Sequence, residues 1–218
     1  MSTRNKVIIT ISSLCLVAAI IVVGVFAFAT QTFSISNTIT FTAAKNVSGT
    51  VTITAKKIAG GNDISATNYT NGSTVTVTNG TASFDGEEIQ NINQAVSIAD
   101  PGFTKKGDKL IVTIVVTNST AVDEAFNVTL TGVDANDSTK LASESIGNGT
   151  NTDNIGVTIY YIDGAVDFDS LTTDSSNGAS LAVSGTRTIV VVYELLSQKS
   201  NVSFSSSFGL ALATPAQA

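Results

Sequence analysis

Few residues of the chain could take part in catalysis, and their types do not complete any known catalytic set. There is no histidine, and the one cysteine, Cys15, lies in an apolar run near the N-terminus. A Ser-His-Asp triad, a Cys-His pair and a zinc site of histidine and cysteine are therefore excluded. The many serines lack a nucleophile-elbow motif, and no glycine-rich phosphate loop occurs. The sequence predicts a protein that is not an enzyme and binds no cofactor.

Acidic side chains are the remaining candidates, either as metal ligands or as an acid–base pair. Residues 134–138 (Asp-Ala-Asn-Asp-Ser) place several oxygen side chains together, and three aspartates form a second group. Calcium prefers oxygen ligands, but the spacing lacks the glycine and the distant glutamate of an EF-hand, and the alternative is a solvated turn. A hydrolase using paired carboxylates is the least supported function, because nothing selects a pair and two adjacent glutamates would point to opposite faces of a strand. The residues concerned are Asp163, Asp167, Asp169 and the adjacent Glu87 and Glu88.

Nine asparagines lie in N-x-S/T sequons, which accept N-linked glycans in exported proteins of eukaryotes and archaea. A chain rich in Asn, Ser and Thr also forms sequons by chance, so both interpretations stay open. The nine positions are Asn46, Asn68, Asn71, Asn79, Asn118, Asn127, Asn136, Asn148 and Asn201.

The charge distribution changes at residue 29. Before it lie Arg4, Lys6 and no acidic residue, whereas residues 30–218 carry 17 acidic and 9 basic side chains. A net negative surface repels phosphate backbones, so no nucleic-acid partner is expected. With no cysteine after residue 29, this part of the chain must be stabilised by packing and backbone pairing, without disulfides.

The first 29 residues have the pattern of an export segment. A basic head is followed by Val7–Ala29, 23 residues without a charge, and the run ends in an A-x-A motif. The small residues predict signal-peptidase cleavage at Ala27, Ala29 and Thr30. About 20 apolar residues also suffice to span a bilayer, so the segment is either removed or kept as a membrane anchor. We therefore predict residues 1–29 as signal or anchor helix, and 30–218 as one domain outside the cell, secreted or held at the surface.

Beyond residue 29 the sequence reads as strands. Apolar residues alternate with Ser and Thr in most segments, and two runs are almost continuously β-branched, which predicts central strands buried on both faces. Asn79-Gly80 between alternating segments predicts a tight hairpin. Many short strands separated by Gly, Asn and Asp turns indicate an all-β antiparallel sandwich or jelly roll. The alternating segments centre on Phe33–Phe41, Val51–Ala55, Val75–Val77, Ala82–Phe84, Phe126–Leu130, Val157–Tyr161 and Val202–Phe208, and the continuous runs are Leu110–Thr117 and Arg187–Leu195.

Helix signals are weak. Two short candidates are Glu87–Ile98 and Phe168–Thr172. The polar, Gly- and Asn-rich stretch Asn136–Asn154 predicts a long surface loop.

Three stretches of the chain occur in a characteristic order. The first is the export segment ending at Phe26–Ala29, followed closely by the strand Thr32–Phe41. The second is Lys106–Leu110, a strand, and the turn Asn118–Thr120, and the third is Ser197–Ser200, which leads into the last strand. Together they resemble the TasA/camelysin family of exported biofilm-matrix fibre proteins, which has a Pro-Gly-Asp loop, a strand and an Asn-containing turn at the second stretch. Lys106 stands where the family has Pro.

The resemblance implies a jelly-roll sandwich, secretion, and self-assembly into a structural fibre of the cell surface or extracellular matrix. In such fibres one subunit donates an N-terminal strand to the next. A strand with the apolar face Phe33, Ile35, Ile39 and Phe41 suits this role, because an open sheet edge on a neighbour could accept it. The partner would then be a second copy of the chain, with the membrane as partner only in export or anchoring. The alternative is a secreted or membrane-anchored adhesin or binding module on the same sandwich, with the strand paired inside its own domain.

Overall fold

The computed structural model describes residues 35–43, 46–86, 90–92, 96–99, 101–120, 125–131, 142–146, 155–196 and 202–213. These residues form an all-β fold with one short helix, as the alternating pattern predicts. The elements are β1 (Ile35–Ala43), β2 (Ser48–Ile58), α1 (Ala66–Asn71), β3 (Ser73–Val75), β4 (Val77–Thr78), β5 (Thr81–Asp85), β6 (Gln90–Ile92), β7 (Ser97–Ile98), β8 (Lys109–Asn118), β9 (Phe126–Thr131), β10 (Ala142–Ile146), β11 (Ile155–Asp163), β12 (Ser180–Leu181), β13 (Thr186–Leu195) and β14 (Val202–Ala213).

Sheet A has the strand order β12-β9-β14-β1-β6, and β10 also pairs with β14. The length of β14 allows two partners along one side: its first half pairs with β10 and its second half with β9. The other side of β14 pairs with β1. This last pairing is parallel, whereas the sequence predicts a wholly antiparallel sandwich. A parallel pair needs a long connection, and nearly the whole domain lies between these two strands.

Sheet B has the strand order β11-β13-β8-β2-β3, with β5 pairing beside β3 along the same side of β2. All its pairings are antiparallel. The central position of β8 and β13 confirms the prediction from their continuous β-branched runs, since most residues of both strands are buried. A third, two-stranded sheet pairs β4 with β7.

The two large sheets are the layers of one hydrophobic core. One cluster of buried side chains draws on alternate residues of both sheets, so the sheets pack face to face. Sheet A contributes Ile39, Phe41, Ala43, Phe126, Val128, Leu130, Leu181, Leu210 and Leu212; sheet B contributes Val51, Ile53, Ala55, Val75, Ala82, Phe84, Leu110, Val112, Ile114, Val116, Ile155, Tyr161, Ile189, Val191, Tyr193 and Leu195.

A smaller cluster covers part of the outer face of sheet B, the face turned away from sheet A. Ile58, Ile111, Val190 and other strand residues pack there against the segments around α1 and residues 166–171. The Tyr69 and Phe168 rings stack with centroids 3.8 Å apart and planes at 14°. The Tyr69 hydroxyl lies 3.2 Å from Thr113 Oγ1 on β8, which ties α1 to the sheet.

Several local predictions are wrong, and in the hairpin, the longer helix and the loop the segments pair as strands with distant partners instead. The strands flanking Asn79-Gly80 do not form a hairpin: β4 pairs with β7 and β5 with β2, although Asn79 does have a positive φ of 58°. The predicted helix Glu87–Ile98 instead contains β6 and β7, and Phe168–Thr172 is not helical. The predicted loop Asn136–Asn154 contains β10, which gains its place by pairing with β14.

Helix α1 has a signal that sequence reasoning missed. Ser65 is its N-cap, and its hydroxyl accepts a hydrogen bond from the Asn68 backbone N–H at 3.1 Å.

Candidate functional site

Strand β1 lies inside sheet A, with a neighbour on each side. It runs parallel to β14 over nine residue pairs, from Ile35–Phe204 to Ala43–Leu212. On its other side its last three residues pair antiparallel with β6, where Phe41 faces Ile92. Removing β1 would therefore open a groove between β14 and β6.

The inward side chains of β1 are fully part of the core. Ile39 has 0% of its surface exposed, and Phe41 and Ala43 have 1% each. The Phe41 ring meets Phe84 of sheet B edge-to-face, with centroids 6.4 Å apart and an interplanar angle of 74°. Burial of Ile39 and Phe41 together stabilises the fold by about 4 kcal/mol at the usual 1.5–3 kcal/mol for each large apolar side chain.

Ile39 and Phe41, two residues of the predicted donor face, thus lie on the inner face of β1, and Ala43 extends this face. Ile35 is the first described residue of β1 and pairs with Phe204. Phe33 and the predicted cleavage residues Ala27, Ala29 and Thr30 lie outside the described residues.

The chain passes from β1 to β2 through the connection between Ala43 and Ser48. Asn46 in this connection has a positive φ of 70°, and its N–H donates to the Gly86 carbonyl at 2.9 Å. Immediately after it, β2 begins sheet B. The connection therefore carries the chain from one sheet to the other, and it is the place where β1 would have to turn in order to leave its own domain.

Asp108, in the loop before β8, is a buried carboxylate with an unusually complete set of donors. Its side chain is 1% exposed. One oxygen accepts the Gly60 N–H at 2.6 Å; the other accepts the Thr104 N–H at 2.7 Å and the Lys105 N–H at 3.3 Å, and it lies 3.3 Å from Lys57 Nζ. Burial by itself would raise the pKa of Asp108, but the three backbone N–H groups and the Lys57 charge outweigh it and hold the pKa below its ordinary value.

The same loop joins three strands at one end of sheet B. Gly107 before Asp108 has a positive φ of 86°, and its N–H donates to the Leu195 carbonyl at the end of β13. Gly60 after β2 approaches so closely that a Cβ there would lie 2.5 Å from the Lys106 carbonyl oxygen. Lys57 also donates to the Gly102 carbonyl and lies 5.9 Å from the centre of the Phe103 ring. The Lys106–Leu110 stretch thus has a structural role, with no position left for a substrate at the carboxylate.

Arg187 on β13 is a second buried charge that sequence reasoning did not single out. Side chains alternate between the two faces of a strand, and Arg187 lies on the same face of β13 as the core residues Ile189 and Val191. It therefore points into the core, and its side chain is 1% exposed. Its guanidinium donates to the Ala179 carbonyl at 2.7 Å, just before β12 of sheet A, and to the Ser180 carbonyl at 3.0 Å, at the start of β12. It also pairs with Asp163 of β11 at 2.7 Å. Arg187 therefore links β13 of sheet B to β12, the strand at one edge of sheet A. Its position in an inward-facing place of an apolar strand is the signal that would have identified it.

Asn118, in the turn that the family resemblance includes, is equally structural. Its side-chain amide donates to the Leu181 carbonyl at 3.0 Å, and its side-chain oxygen accepts the Thr120 N–H at 3.0 Å. The residue is 1% exposed. It therefore fixes the end of β8 against β12.

The candidate metal residues are not assembled into a site. Asp163 pairs with Arg187, while the Asp167 and Asp169 carboxylates accept backbone N–H groups of Asp169 and Ala66, respectively. Among the residues that the structure describes, no group of three or more Asp, Glu, His or Cys could hold a metal ion. Residues 134–138, Glu87 and Glu88 lie outside the described residues.

Comparisons of the chain with protein-family models and with curated proteins find no match. The resemblance to the TasA/camelysin family therefore stays an expectation drawn from three short stretches. In the described part of the chain, no helix is long and apolar enough to cross a membrane; α1 has only six residues.

Proposed function

We propose that the chain is an exported structural subunit of a cell-surface or extracellular-matrix fibre, in which β1 of one subunit is donated to the next. The observation that carries the proposal is the place of β1: the first described strand, which has an apolar face, is inserted between β14 and β6 and is followed by the Ala43–Ser48 connection to β2. The jelly-roll topology, export, and release or anchoring by residues 1–29 belong to the same proposal.

The donated strand would make the contacts that β1 makes within its own subunit. In such an exchange the pairing with β14 and the burial of Ile39 and Phe41 are unchanged, so the fibre needs no new interface for this strand. The balance between monomer and fibre is then set by the connecting segment and by concentration. A short connection gives β1 an effective concentration in the millimolar range inside its own subunit. Assembly would accordingly start where many chains emerge together, as they do during export.

The acidic and polar groups also support a structural role. Asp108 and Arg187, the buried charged groups of the described residues, are engaged in hydrogen bonds that join loops and strands, and the exposed Asp163 pairs with Arg187. Each therefore contributes to holding the subunit together. These contacts are those of a rigid subunit, and the proposal includes no chemical step.

A paired-cysteine variant tests the proposal. Thr38 on β1 and Ser207 on β14 are register partners, and neighbouring strands place Cα atoms within the range that a disulfide bridges. Residues 30–218 contain no cysteine, so Thr38→Cys with Ser207→Cys introduces the one possible bridge. Fibres assembled under reducing conditions and then oxidised should give a ladder of covalent oligomers on a non-reducing gel. Monomers oxidised first should close the bridge internally and should no longer assemble.

Two controls complete the test. Thr38→Cys alone should give dimers at most, and residues 30–218 should form filaments in the electron microscope while a form starting near residue 43, without β1, should not. Fibres that oxidise to monomers only would show that β1 stays in its own subunit. If residues 30–218 remain monodisperse at every concentration and pH, the fibre proposal fails, and glycan and surface binding assays for an adhesin come next.

A further inference from the structure

Asparagines of the exported part are concentrated in sequons. Sixteen asparagines lie between residues 30 and 218, and nine of them begin an N-x-S/T sequon. Serine and threonine make up about a quarter of this segment, so composition alone would produce about four sequons. The excess favours a use for some of these positions over chance.

The structure separates the sequons by accessibility. Six of the nine lie in the described residues. Asn46, Asn71 and Asn79 are exposed, Asn68 and Asn127 are half-buried, and Asn118 is buried with its amide donated to Leu181. Asn118 could accept a glycan only if the turn holding β8 to β12 opened. An oligosaccharide is bulky and must project into solvent, so only the exposed group is suitable in the folded domain.

The three exposed sequons lie at the ends of β3 and β5, the two strands at one edge of sheet B. Asn71, the last residue of α1, is separated from β3 by one glycine, and Asn79 is likewise separated from β5 by one glycine. Asn46 lies at the far end of β5, because its N–H bonds to the Gly86 carbonyl. In the described part of the chain, β3 and β5 pair with β2 on one side, and no strand pairs with their other side.

We propose that Asn46, Asn71 and Asn79 carry N-linked oligosaccharides that shield the β3/β5 edge of sheet B. An uncovered sheet edge is a template for pairing with other chains, and natural proteins cover or block such edges. Glycans at both ends of β5 and at the start of β3, with their bound water, occupy the space that another chain's strand would need beside this edge. With this edge of sheet B blocked, copies of the chain would associate through sheet A, the sheet that contains β1. The modification rests on the proposed export of the chain, and its occurrence is independent of fibre formation.

The chemistry is a group transfer from a lipid-phosphate-linked oligosaccharide, supplied by the cell. The Asn Nδ2 attacks the anomeric carbon of the first sugar and forms a C–N bond, while the bond from that carbon to the phosphate oxygen breaks. The lipid phosphate leaves with the electron pair, and one amide proton passes to a base of the transferase. In the sequons of Asn71 and Asn79, the hydroxyl residues Ser73 and Thr81 are exposed as well, so the transferase can reach the whole recognition triplet.

The test uses the full chain expressed in its source cell, with peptide mass spectrometry as the readout. The variant removes the sequon hydroxyls by Ser48→Ala, Ser73→Ala and Thr81→Val, which keeps asparagine at the two positive-φ turns. A matched control carries Ser83→Ala, Ser97→Ala and Thr50→Val, which alter three other hydroxyls near β2, β5 and β7 and no sequon. Wild type and control should carry sugar mass on the Asn46, Asn71 and Asn79 peptides in most copies, and none on Asn118. The variant should lack all three additions and should associate laterally into clumps that the control does not form.

Protease treatment of intact cells separates this inference from the proposed function. Chain that is accessible at the surface but unmodified at all three positions overturns the glycosylation inference and leaves export standing. Chain that is inaccessible and unmodified overturns the export on which both proposals rest. Sugar on Asn118 would contradict the accessibility argument, and a variant that lacks the sugars yet stays as dispersed as the control would refute the shielding role.

Discussion

Replacing Asp108 by Asn removes a negative charge and almost no volume, so it tests directly how much the buried carboxylate stabilises the fold. Both carboxylate oxygens accept backbone N–H groups, at 2.6 Å from Gly60 and 2.7 Å from Thr104. An asparagine amide can present only one oxygen, so its NH₂ group must face an N–H at one of these short distances. The variant loses at least one hydrogen bond to a charged acceptor, each contributing about 1.5–3 kcal/mol, and it removes the negative charge that pairs with Lys57. We expect a loss of about 3 kcal/mol in the free energy of unfolding at neutral pH.

The pH dependence gives this prediction a second, independent readout. Because the folded-state pKa of Asp108 is lowered, its contribution is present in full above the unfolded-chain value of about 3.9 and is lost as the pH falls through the lower folded-state pKa. The Asn variant has no such group. The stability difference between wild type and variant should therefore be largest at neutral pH and should shrink in acid.

Urea unfolding of residues 30–218, followed by circular dichroism, measures both effects. With a slope of about 2 kcal/mol per molar urea, the variant's midpoint should fall by about 1.5 M. The control is Asp63→Asn, the same chemical change at an exposed position, which should stay within about 0.5 kcal/mol of wild type. A midpoint for Asp108→Asn that matches the control, or a stability difference that does not change with pH, would refute the reasoning.

Two further predictions concern contacts that sequence reasoning did not identify. Arg187→Met keeps an apolar stem but leaves the Ala179 and Ser180 carbonyls without their donor; we expect a loss of about 3 kcal/mol, read as a fall in Tm of about 6–12 °C. Arg187→Lys keeps the charge without the planar fork and should fall between wild type and Met, and a Lys variant no better than Met would show that the charge contributes nothing. Phe168→Ala should cost about 1–2 kcal/mol through loss of the stack on Tyr69, and Phe168→Leu about half as much because it keeps the apolar contact. Equal losses for Ala and Leu in thermal melts would mean that the ring stack, and not the apolar contact, accounts for the effect.

The sequence by itself determined the class of fold and most strand positions. Alternation of apolar residues with Ser and Thr is local information, and it identified β1, β2, β8, β9, β11, β13 and β14, including the two strands buried on both faces. The same information assigned Ile39 and Phe41 to the inner face of β1, because the side-chain period of a strand is two residues. The absence of histidine, and of cysteine beyond residue 29, likewise excluded several chemistries without any structure.

Only the tertiary structure decided which strands pair and in which direction. Asn79-Gly80 has the residues of a hairpin, yet β4 pairs with β7 and β5 with β2, and both partners are distant in sequence. The parallel pairing of β1 with β14 joins the first and the last described strands and has no local signal. The hydrogen-bond partners of Asp108, Arg187 and Asn118 likewise include residues that are not their neighbours in sequence. The residue types alone therefore could not show whether these side chains are solvated or buried between strands.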